Sequence, residues 1–231
     1  MIIGISGKKQ VGKDTVATII KNLAGNHWEN KKFGSGLKDI VCLLLNCTRE
    51  DLEDEVFRNK ELGKEWWYYK HIIEGKILSL DEGNRIIGIS PSFTHYYTLI
   101  KPTPRLLMQL VGTDCGRNII HPNIWVNMLM KEYVPIDRRT IQDPDDSNIS
   151  MPDWAISDIR FPNEIDAVKK ENGIIIRILR ETNYIDNHDS ETALDNYGKW
   201  DYVVDNNGSI SDLERAIEKI LIELKIIPED A

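Results

Sequence analysis

The chain has 231 residues, a length that allows one large domain or a core domain with an insertion. A formal net charge of -8 excludes a general electrostatic attraction to nucleic acid polymers or anionic membranes, so any bound anion requires a local cluster of cations. The chain is 41% hydrophobic and 29% charged, which excludes a disordered or fibrous protein, and its apolar runs are shorter than the roughly 20 residues of a membrane-spanning helix.

The first predicted elements are a strand at residues 2–6, "IIGIS", and a helix from about Lys13 to Leu23. The strand is apolar without interruption, a pattern typical of a parallel strand that is buried on both faces. A weaker apolar signal predicts a second, short strand at residues 31–36. Residues 1–36 are therefore assigned to the core domain.

The stretch "GKKQVGKDT", Gly7 to Thr15, lies between the first strand and the first helix and fits the pattern G-x-x-x-x-G-K. Glycines in such a loop let backbone N–H groups turn toward phosphate oxygens, and the helix N-terminus adds a partial positive charge. Lys13 supplies a mobile charge for the β and γ phosphates. The pattern predicts a nucleotide-phosphate site, and a plain glycine turn between strand and helix is the alternative.

The residue after this lysine departs from the usual pattern, because Asp14 replaces the Ser or Thr that ligates Mg²⁺ in many such loops. Asp14 could hold Mg²⁺ through water or position the acceptor, while Thr15 binds a phosphate oxygen. Lys9 could add charge near the transferred phosphoryl group or lie solvated at the surface. The predicted ligands of the nucleotide phosphates are Lys9, Gly12, Lys13, Asp14 and Thr15, with Asp14 as the candidate for Mg²⁺.

The next segment, residues 37–152, is too long for a connection within a compact core, so we expect an inserted subdomain. Within it, "TPRLLMQLVG" predicts a helix with Thr103 as its N-cap and Gly112 as its end, and "NIWVNMLMKEY" predicts another. The aromatic cluster at residues 66–69 could stack on bases, but packing of the insertion is the favoured interpretation.

Three strands are predicted near the C-terminus, at residues 154–158, 173–179 and 201–206. Strands that alternate with helices indicate an α/β fold, a parallel sheet with helices on both faces. Residues 153–231 therefore complete the core domain, whose sheet is predicted to have five parallel strands. The last helix begins in a Ser/Asp-rich cap and carries apolar residues at helical spacing.

Candidate ligands of a phosphorylated acceptor are arginines, because phosphoryl transfer needs positioning and charge neutralisation. Arg105 and Arg117 lie in the predicted insertion, and Arg160 follows the strand at 154–158. Asp158 ends that strand, at the edge where doubly wound sheets bind ligands. Each arginine taken alone could equally form a surface salt bridge.

Five segments occur together in an order that resembles the bacteriophage-type deoxynucleoside monophosphate kinases. The resemblance spans nearly the whole chain, although the G-K-D-T loop alone is also similar to that of phosphomevalonate kinases. It implies a P-loop nucleoside monophosphate kinase fold, with ATP and Mg²⁺ on the donor side and a deoxynucleoside monophosphate as acceptor. The segments are "GKKQVGKDT", "FGSGLK", "TPRLLMQLVGTDCGRNIIHPNIWV", "SDIRFPNE" and "HDSETALDN".

The resemblance also implies roles for individual residues. Arg180 sits where similar kinases begin a lid, here about residues 180–197, which includes His188, Ser190 and Glu191 without an assigned role. The base could stack on Trp125, for which a place in the helix core is the alternative. The catalytic candidates are Lys13, Asp158, Arg160 and Arg180. The substrate-binding candidates are Leu37, Lys38, Arg105, Gly112, Thr113, Arg117, Trp125, Asp158, Arg160 and Glu164.

Other readings of the same residues stay open at the level of sequence. The chain could be a kinase of another phosphorylated metabolite, such as phosphomevalonate or dephospho-coenzyme A, or a P-loop ATPase that acts as a switch. The three cysteines form no CxxC pair and favour a reducing compartment, so we expect a cytoplasmic protein, in the host cytoplasm if it is phage-encoded. The sequence leaves homodimer formation and the choice of base open.

Overall fold

A computed structural model describes residues 1–137, 149–182 and 189–229. The strands are β1 Ile2–Ser6, β2 Trp28–Lys31, β3 Tyr68–His71, β4 Ile77–Ser79, β5 Tyr97–Ile100, β6 Ile136–Asp137, β7 Ile149–Ser150, β8 Asp153–Ile159, β9 Ile174–Leu179 and β10 Tyr202–Asp205. The α-helices are α1 Lys13–Ala24, α2 Ser35–Leu45, α3 Arg49–Glu53, α4 Glu55–Asn59, α5 Leu80–Ile89, α6 Pro104–Gln109, α7 Ile124–Met130, α8 Pro162–Lys170, α9 Asp189–Thr192 and α10 Ile210–Glu223. A π-helix spans Leu110–Ile120, and short 3₁₀ helices span Lys64–Trp66 and Pro91–His95.

The chain forms two compact units, which we call the core unit (residues 1–35 and 123–231) and the inserted unit (residues 36–122). The insertion expected at 37–152 is thus shorter at its C-terminal end. Helix α7 belongs to the core unit because its apolar face, with Trp125, is buried and the helix contacts α8. At the start of α7, the side-chain oxygen of Asn123 accepts a hydrogen bond of 2.7 Å from Asn163.

The sheet of the core unit has five strands in the order β10-β9-β1-β8-β2, and all of its pairings are parallel. This confirms the predicted five-stranded parallel sheet. Strand β1 lies at the centre and all five of its residues are buried, as its uninterrupted apolar sequence predicts. The crossovers β1–α1–β2 and β8–α8–β9 run in opposite directions along the sheet. Right-handed connections therefore place α1 and α8 on opposite faces.

The second strand lies at Trp28–Lys31, so its prediction at residues 31–36 was wrong in position. The chain turns at Phe33 and Gly34, whose backbone amides each donate a hydrogen bond of 2.8 Å to the carboxylate of Asp158. Helix α2 then begins at Ser35. Asp158 lies 125 residues from Phe33 and 124 residues from Gly34 along the chain. No local sequence pattern therefore reveals that its carboxylate holds the turn after β2.

The inserted unit contains a three-stranded antiparallel sheet in the order β4-β3-β5. Tyr69 on β3 is buried and packs edge-on against Phe93, with ring centroids 5.6 Å apart. The indole of Trp67 donates a hydrogen bond of 2.9 Å to the carbonyl oxygen of Leu62. These contacts support the packing interpretation of the aromatic cluster at residues 66–69.

Helix α6 starts as predicted, because the hydroxyl of Thr103 accepts a hydrogen bond of 3.2 Å from the amide of Leu106. It does not end at Gly112, which contradicts that expectation. The chain continues as the π-helix, which runs to Ile120 and closes with a bond of 2.9 Å from the amide of His121 to the oxygen of Gly116. A Cβ on Gly112 would lie 2.8 Å from the end of the Leu37 side chain, so the leucine packs directly on this glycine.

In the three described ranges, no helix is both long enough and apolar enough to cross a lipid bilayer.

Candidate active site

The predicted phosphate loop joins β1 to α1 and is closed by Asn206, the residue after β10. Gly12 has φ 96° and ψ 21°, a left-handed conformation that strongly favours glycine. A Cβ at this position would also lie 2.7 Å from the side-chain nitrogen of Asn206. That nitrogen donates a hydrogen bond of 2.8 Å to the carbonyl oxygen of Val11. The conformation of the loop therefore depends on a contact with the far edge of the sheet.

The ammonium group of Lys13 lies inside this loop. Its Nζ donates hydrogen bonds to the carbonyl oxygens of Gly7, at 2.9 Å, and Lys8, at 2.7 Å. The residue is only 9% exposed. Burial, together with the nearby positive charge of Arg160, lowers the pKa of Lys13 to about 8. The amine is thus a buried cation whose charge a bound polyphosphate would stabilise.

Asp14 occupies the first turn of α1 and faces the end of β8. Its Oδ1 lies 2.7 Å from the hydroxyl of Ser157 and 2.8 Å from Nζ of Lys32. Burial by itself would raise the pKa of Asp14, but the hydrogen bonds from Lys32 and Ser157 outweigh it and lower the pKa. A charged carboxylate beside a hydroxyl supplies the oxygen ligands that Mg²⁺ prefers, together with substrate phosphates and water. The donor chemistry at this position therefore fits Mg²⁺.

In the described part of the chain, no three His, Cys, Asp or Glu side chains converge as a ready-made metal site.

Asp158 is the next-to-last residue of β8, one residue before the carboxyl end of the strand. Both of its side-chain oxygens accept backbone hydrogen bonds, from Phe33 and from Gly34. In this arrangement the carboxylate holds the turn that precedes α2. A catalytic or acceptor-binding role for Asp158 stays a prediction.

Arg160 and Glu164 are linked through the backbone at the start of α8. The carboxylate of Glu164 is 2% exposed and accepts hydrogen bonds from the amides of Arg160, at 2.7 Å, and Phe161, at 3.1 Å. It therefore caps the helix and orients the Arg160 backbone. The Arg160 guanidinium forms an ion pair with Glu191. Burial alone would lower the pKa of Arg160, but the Glu191 carboxylate raises it above its ordinary value.

Three other candidates lie in the core unit. Trp125 is 3% exposed, a placement that fits the helix-core alternative, so base stacking on its ring stays a prediction. Thr15 is half-buried in the first turn of α1, and Arg180 is exposed directly after β9. Of the expected lid at 180–197, residues 183–188, including His188, lie outside the described residues.

The inserted unit carries six of the substrate-binding candidates. Lys38 pairs with Glu53, and the guanidinium of Arg105 bonds to Asn59 at 2.9 Å and to Glu55 at 2.6 Å. Both cations are thus bound to acidic or amide side chains of α3 and α4. Within this unit, Leu37 packs closely on Gly112 of the π-helix.

The same π-helix carries the remaining two candidates of the inserted unit. Thr113 is buried, and Arg117 donates a hydrogen bond of 3.4 Å to the carbonyl oxygen of Pro122. π-helical turns are rare and are frequently found at functional sites.

Sequence reasoning assigned no role to two residues that contact the loop region, Glu191 and Arg177. Glu191 accepts a hydrogen bond of 3.0 Å from the backbone amide of Lys9, inside the phosphate loop. Arg177 on β9 donates a hydrogen bond of 3.0 Å to the hydroxyl of Ser6, the last residue of β1. A signal for Arg177 was present, because a lone charge interrupts the apolar run "GIIIRIL". No signal in the sequence points to the contact of Glu191.

A parallel sheet with a phosphate loop between its central strand and the following helix defines a P-loop kinase fold. A family model described as "Deoxynucleotide monophosphate kinase" matches residues 94–217, more than half of the chain. The chain belongs to this family, which confirms the resemblance found in the sequence.

Two curated relatives carry related names. The chain is 26% identical over 219 residues to the "Deoxynucleoside-5'-monophosphate kinase" of Escherichia phage T5, a match that covers 80% of this chain and 74% of the relative. It is 28% identical over 118 residues to the "Deoxynucleotide monophosphate kinase" of Escherichia phage RB69, covering 51% of this chain and 44% of the relative.

Proposed function

We propose that this protein transfers the γ-phosphoryl group of ATP to a deoxynucleoside 5'-monophosphate and releases ADP and the deoxynucleoside diphosphate. The observation that carries the proposal is the pair of cations at the phosphate loop, the buried Lys13 and the partly buried Arg160, in a chain of the deoxynucleotide monophosphate kinase family. Two cations next to an amide-lined loop favour binding of a polyphosphate.

The reaction needs positioning and charge neutralisation more than covalent help. An oxygen of the acceptor phosphate attacks the γ-phosphorus in line, a new O–P bond forms, and the bond to the β-phosphate oxygen breaks. The acceptor phosphate is already anionic near pH 7, so this step requires little help from a general base. Lys13 neutralises the β and γ oxygens, Gly12 and Lys9 provide the loop that holds them, and Thr15 binds a phosphate oxygen.

Arg160 is proposed to neutralise charge on the transferred group. Arg180, exposed after β9, is proposed as a further cation for the same group.

The divalent ion is proposed to be Mg²⁺, held by Asp14 directly or through water, with the Ser157 hydroxyl beside it. When bound, Mg²⁺ would neutralise charge on the β and γ phosphate oxygens. The support is the charged state of Asp14, whose pKa is lowered by Lys32 and Ser157, because a metal ligand must be deprotonated. Lys32 is the cation that Mg²⁺ would replace at this carboxylate.

Acceptor contacts are proposed for each unit by itself. In the inserted unit, Lys38 and Arg105 are bound to Glu53 and Glu55, and a phosphate dianion would compete with these carboxylates for the same cations. Further proposed contacts in that unit are Leu37, Gly112, Thr113 and Arg117. In the core unit they are Trp125, Asp158, Arg160 and Glu164.

The site of action is proposed to be the reducing cytoplasm. The three cysteines, Cys42, Cys47 and Cys115, are free thiols. The curated relatives described above come from bacteriophages, so the cytoplasm of an infected cell is the compartment we propose.

An acceptor panel tests this function. The purified chain is incubated with ATP and Mg²⁺ and, in turn, each common deoxynucleoside monophosphate, each ribonucleoside monophosphate, phosphomevalonate or dephospho-coenzyme A, and ADP is measured. We expect ADP to form with deoxynucleoside monophosphates, and Lys13→Ala to lose at least 99% of this activity while remaining folded. ADP formation without any acceptor, or with only one of the last two metabolites, would contradict the proposal.

A further inference from the structure

The phosphate loop is contacted by an anion that the chain itself supplies. The carboxylate of Glu191, on helix α9, has a side chain that is 7% exposed. One of its oxygens accepts a hydrogen bond of 3.0 Å from the loop amide of Lys9, and the other pairs with Nη1 of Arg160. Both partners belong to the group of donors proposed above for the phosphates of ATP.

Helix α9 and the residues that follow it are attached to the loop by additional contacts. Nζ of Lys8 donates a hydrogen bond of 2.6 Å to the backbone oxygen of Glu191 and pairs with the carboxylate of Asp195. Nη1 of Arg160 also lies 3.3 Å from the backbone oxygen of Ser190. The negative charge of Glu191 acts on Lys13 as well, in the direction that raises the pKa of the lysine. The carboxylate is thus part of the loop's own electrostatic environment.

We propose that Glu191 is a positioning residue that takes the place of a phosphate oxygen in the nucleotide-free protein, and that the triphosphate displaces it. The proposal rests on the proposed function, because it takes the loop to be the ATP phosphate site. While no nucleotide is bound, Glu191 accepts the hydrogen bond of the Lys9 amide and neutralises the partly buried Arg160 guanidinium.

The triphosphate cannot share the single N–H of Lys9 with Glu191. Its oxygens also compete for the positive charge of Arg160, and a carboxylate next to several phosphate charges is repelled. Binding therefore moves Glu191, and α9 with it, away from the loop. The displacement lowers the observed affinity for ATP, since part of the binding energy is used to replace the internal anion.

The first test compares Glu191→Gln with the wild-type chain. Inorganic tripolyphosphate is the probe, titrated by calorimetry without any acceptor, and ATP kinetics are measured in parallel. We expect the variant to bind tripolyphosphate about tenfold more tightly, because a neutral amide competes less well than a carboxylate. KM for ATP should fall by a similar factor while kcat stays within about twofold.

The matched control is Asp195→Asn. Asp195 pairs with Lys8 and therefore helps attach the same segment, but the contacts to the Lys9 amide and to Arg160 belong to Glu191. We expect its affinity for tripolyphosphate to stay within about twofold of wild type. An equal gain in both variants would assign the effect to general loosening of the segment and would overturn the proposal. So would an unchanged affinity, or a loss of kcat at unchanged KM, in Glu191→Gln.

A second test uses only the wild-type chain, so it does not depend on the folding of a variant. Hydrogen–deuterium exchange of a peptide that covers residues 189–195 is measured with and without tripolyphosphate. Faster exchange in the presence of the probe supports displacement, and equal or slower exchange overturns it. If tripolyphosphate binds neither wild type nor Glu191→Gln, the phosphate-site assignment itself fails, whereas equal binding to both contradicts only the role of Glu191.

Discussion

The side-chain nitrogen of Asn206 lies 2.7 Å from the point that a Cβ on Gly12 would occupy. Two residues that are far apart in sequence therefore jointly determine the shape of the phosphate loop. Gly12 provides a left-handed conformation, and Asn206 bonds to the preceding carbonyl oxygen, that of Val11, at 2.8 Å.

Gly12→Ala should destabilise the protein and impair nucleotide binding. Left-handed backbone costs roughly 1 kcal/mol for a residue with a Cβ, and displacement of Asn206 removes a hydrogen bond worth about 1 kcal/mol. We expect the free energy of unfolding, measured in urea, to fall by about 2 kcal/mol. Gly198→Ala is the control, because nothing lies within 4 Å of a Cβ there, and it should change stability by less than about 0.5 kcal/mol. Equal effects at both positions would refute the steric argument.

Binding of ATP should weaken as the pH rises through the pKa of Lys13. This pKa is lowered from 10.5 to about 8 in the nucleotide-free protein, and bound phosphates favour the charged amine, so binding above pH 8 requires uptake of a proton. The Kd for ATP should therefore increase about eightfold between pH 7.5 and pH 9, as measured by calorimetry. In Lys13→Arg, whose guanidinium stays charged, this pH dependence should vanish, and its persistence would show that another group titrates.

The same group affects the stability of the nucleotide-free chain. Because the folded pKa lies below the unfolded value of 10.5, the unfolded chain binds more protons between about pH 8 and this value. The contribution of Lys13 to the free energy of unfolding should therefore increase with pH across this window. Urea denaturation of the wild type at pH 8 and pH 10, with Lys13→Met as the reference, measures it. A contribution that decreases with pH would contradict the lowered pKa.

Arg160→Ala should impair acceptor use more than ATP binding. The change removes the guanidinium next to the loop and leaves the buried carboxylate of Glu191 without its partner. We expect kcat/KM for the acceptor to fall at least a hundredfold and the Kd for ATP to change less than tenfold. Arg215→Ala is the control, because the Arg215 side chain is 68% exposed and forms its ion pair with Asp212 of the same helix. Unchanged acceptor kinetics in Arg160→Ala would remove this residue from the site.

Asp158→Asn should separate a positioning role from a chemical one. The carboxylate accepts two backbone hydrogen bonds, and an amide can replace only one of them while its NH₂ group opposes the other donor. We expect the free energy of unfolding to fall by about 2 kcal/mol. Asp166→Asn, at an exposed position on α8, should leave stability within about 0.5 kcal/mol of wild type. Lost activity at unchanged stability would instead place the carboxylate in the chemistry.

Several elements of the fold could be predicted because their signals are local. Strand β1, the phosphate loop and helix α1 follow from one apolar run, a glycine pattern and the helix that comes next, and the structure places them within one residue of the prediction. The three C-terminal strands were predicted almost as well. The cap of α6 at Thr103 was also readable, because capping involves residues only three positions apart.

The errors have a common cause. The position predicted for β2 was wrong because the amides of Phe33 and Gly34, which were expected to lie in the strand, bond instead to the carboxylate of Asp158. Gly112 was taken as a helix end because glycine usually ends helices, whereas here it lies inside a π-helix and the Leu37 side chain packs on it. Both features depend on contacts with another part of the chain.

The sequence by itself determined the α/β class of the protein, the family resemblance and the position of the glycine-containing loop between β1 and α1, because hydrophobic periodicity and backbone-restricting residues act over a few positions. The tertiary structure alone decided which charges surround that loop. Glu191 reaches the Lys9 amide across 182 positions, and Asn206 reaches Val11 across 195. Such pairings form because the strand ends meet at one edge of the sheet. The separation of two residues along the chain does not predict how close they lie in the folded protein.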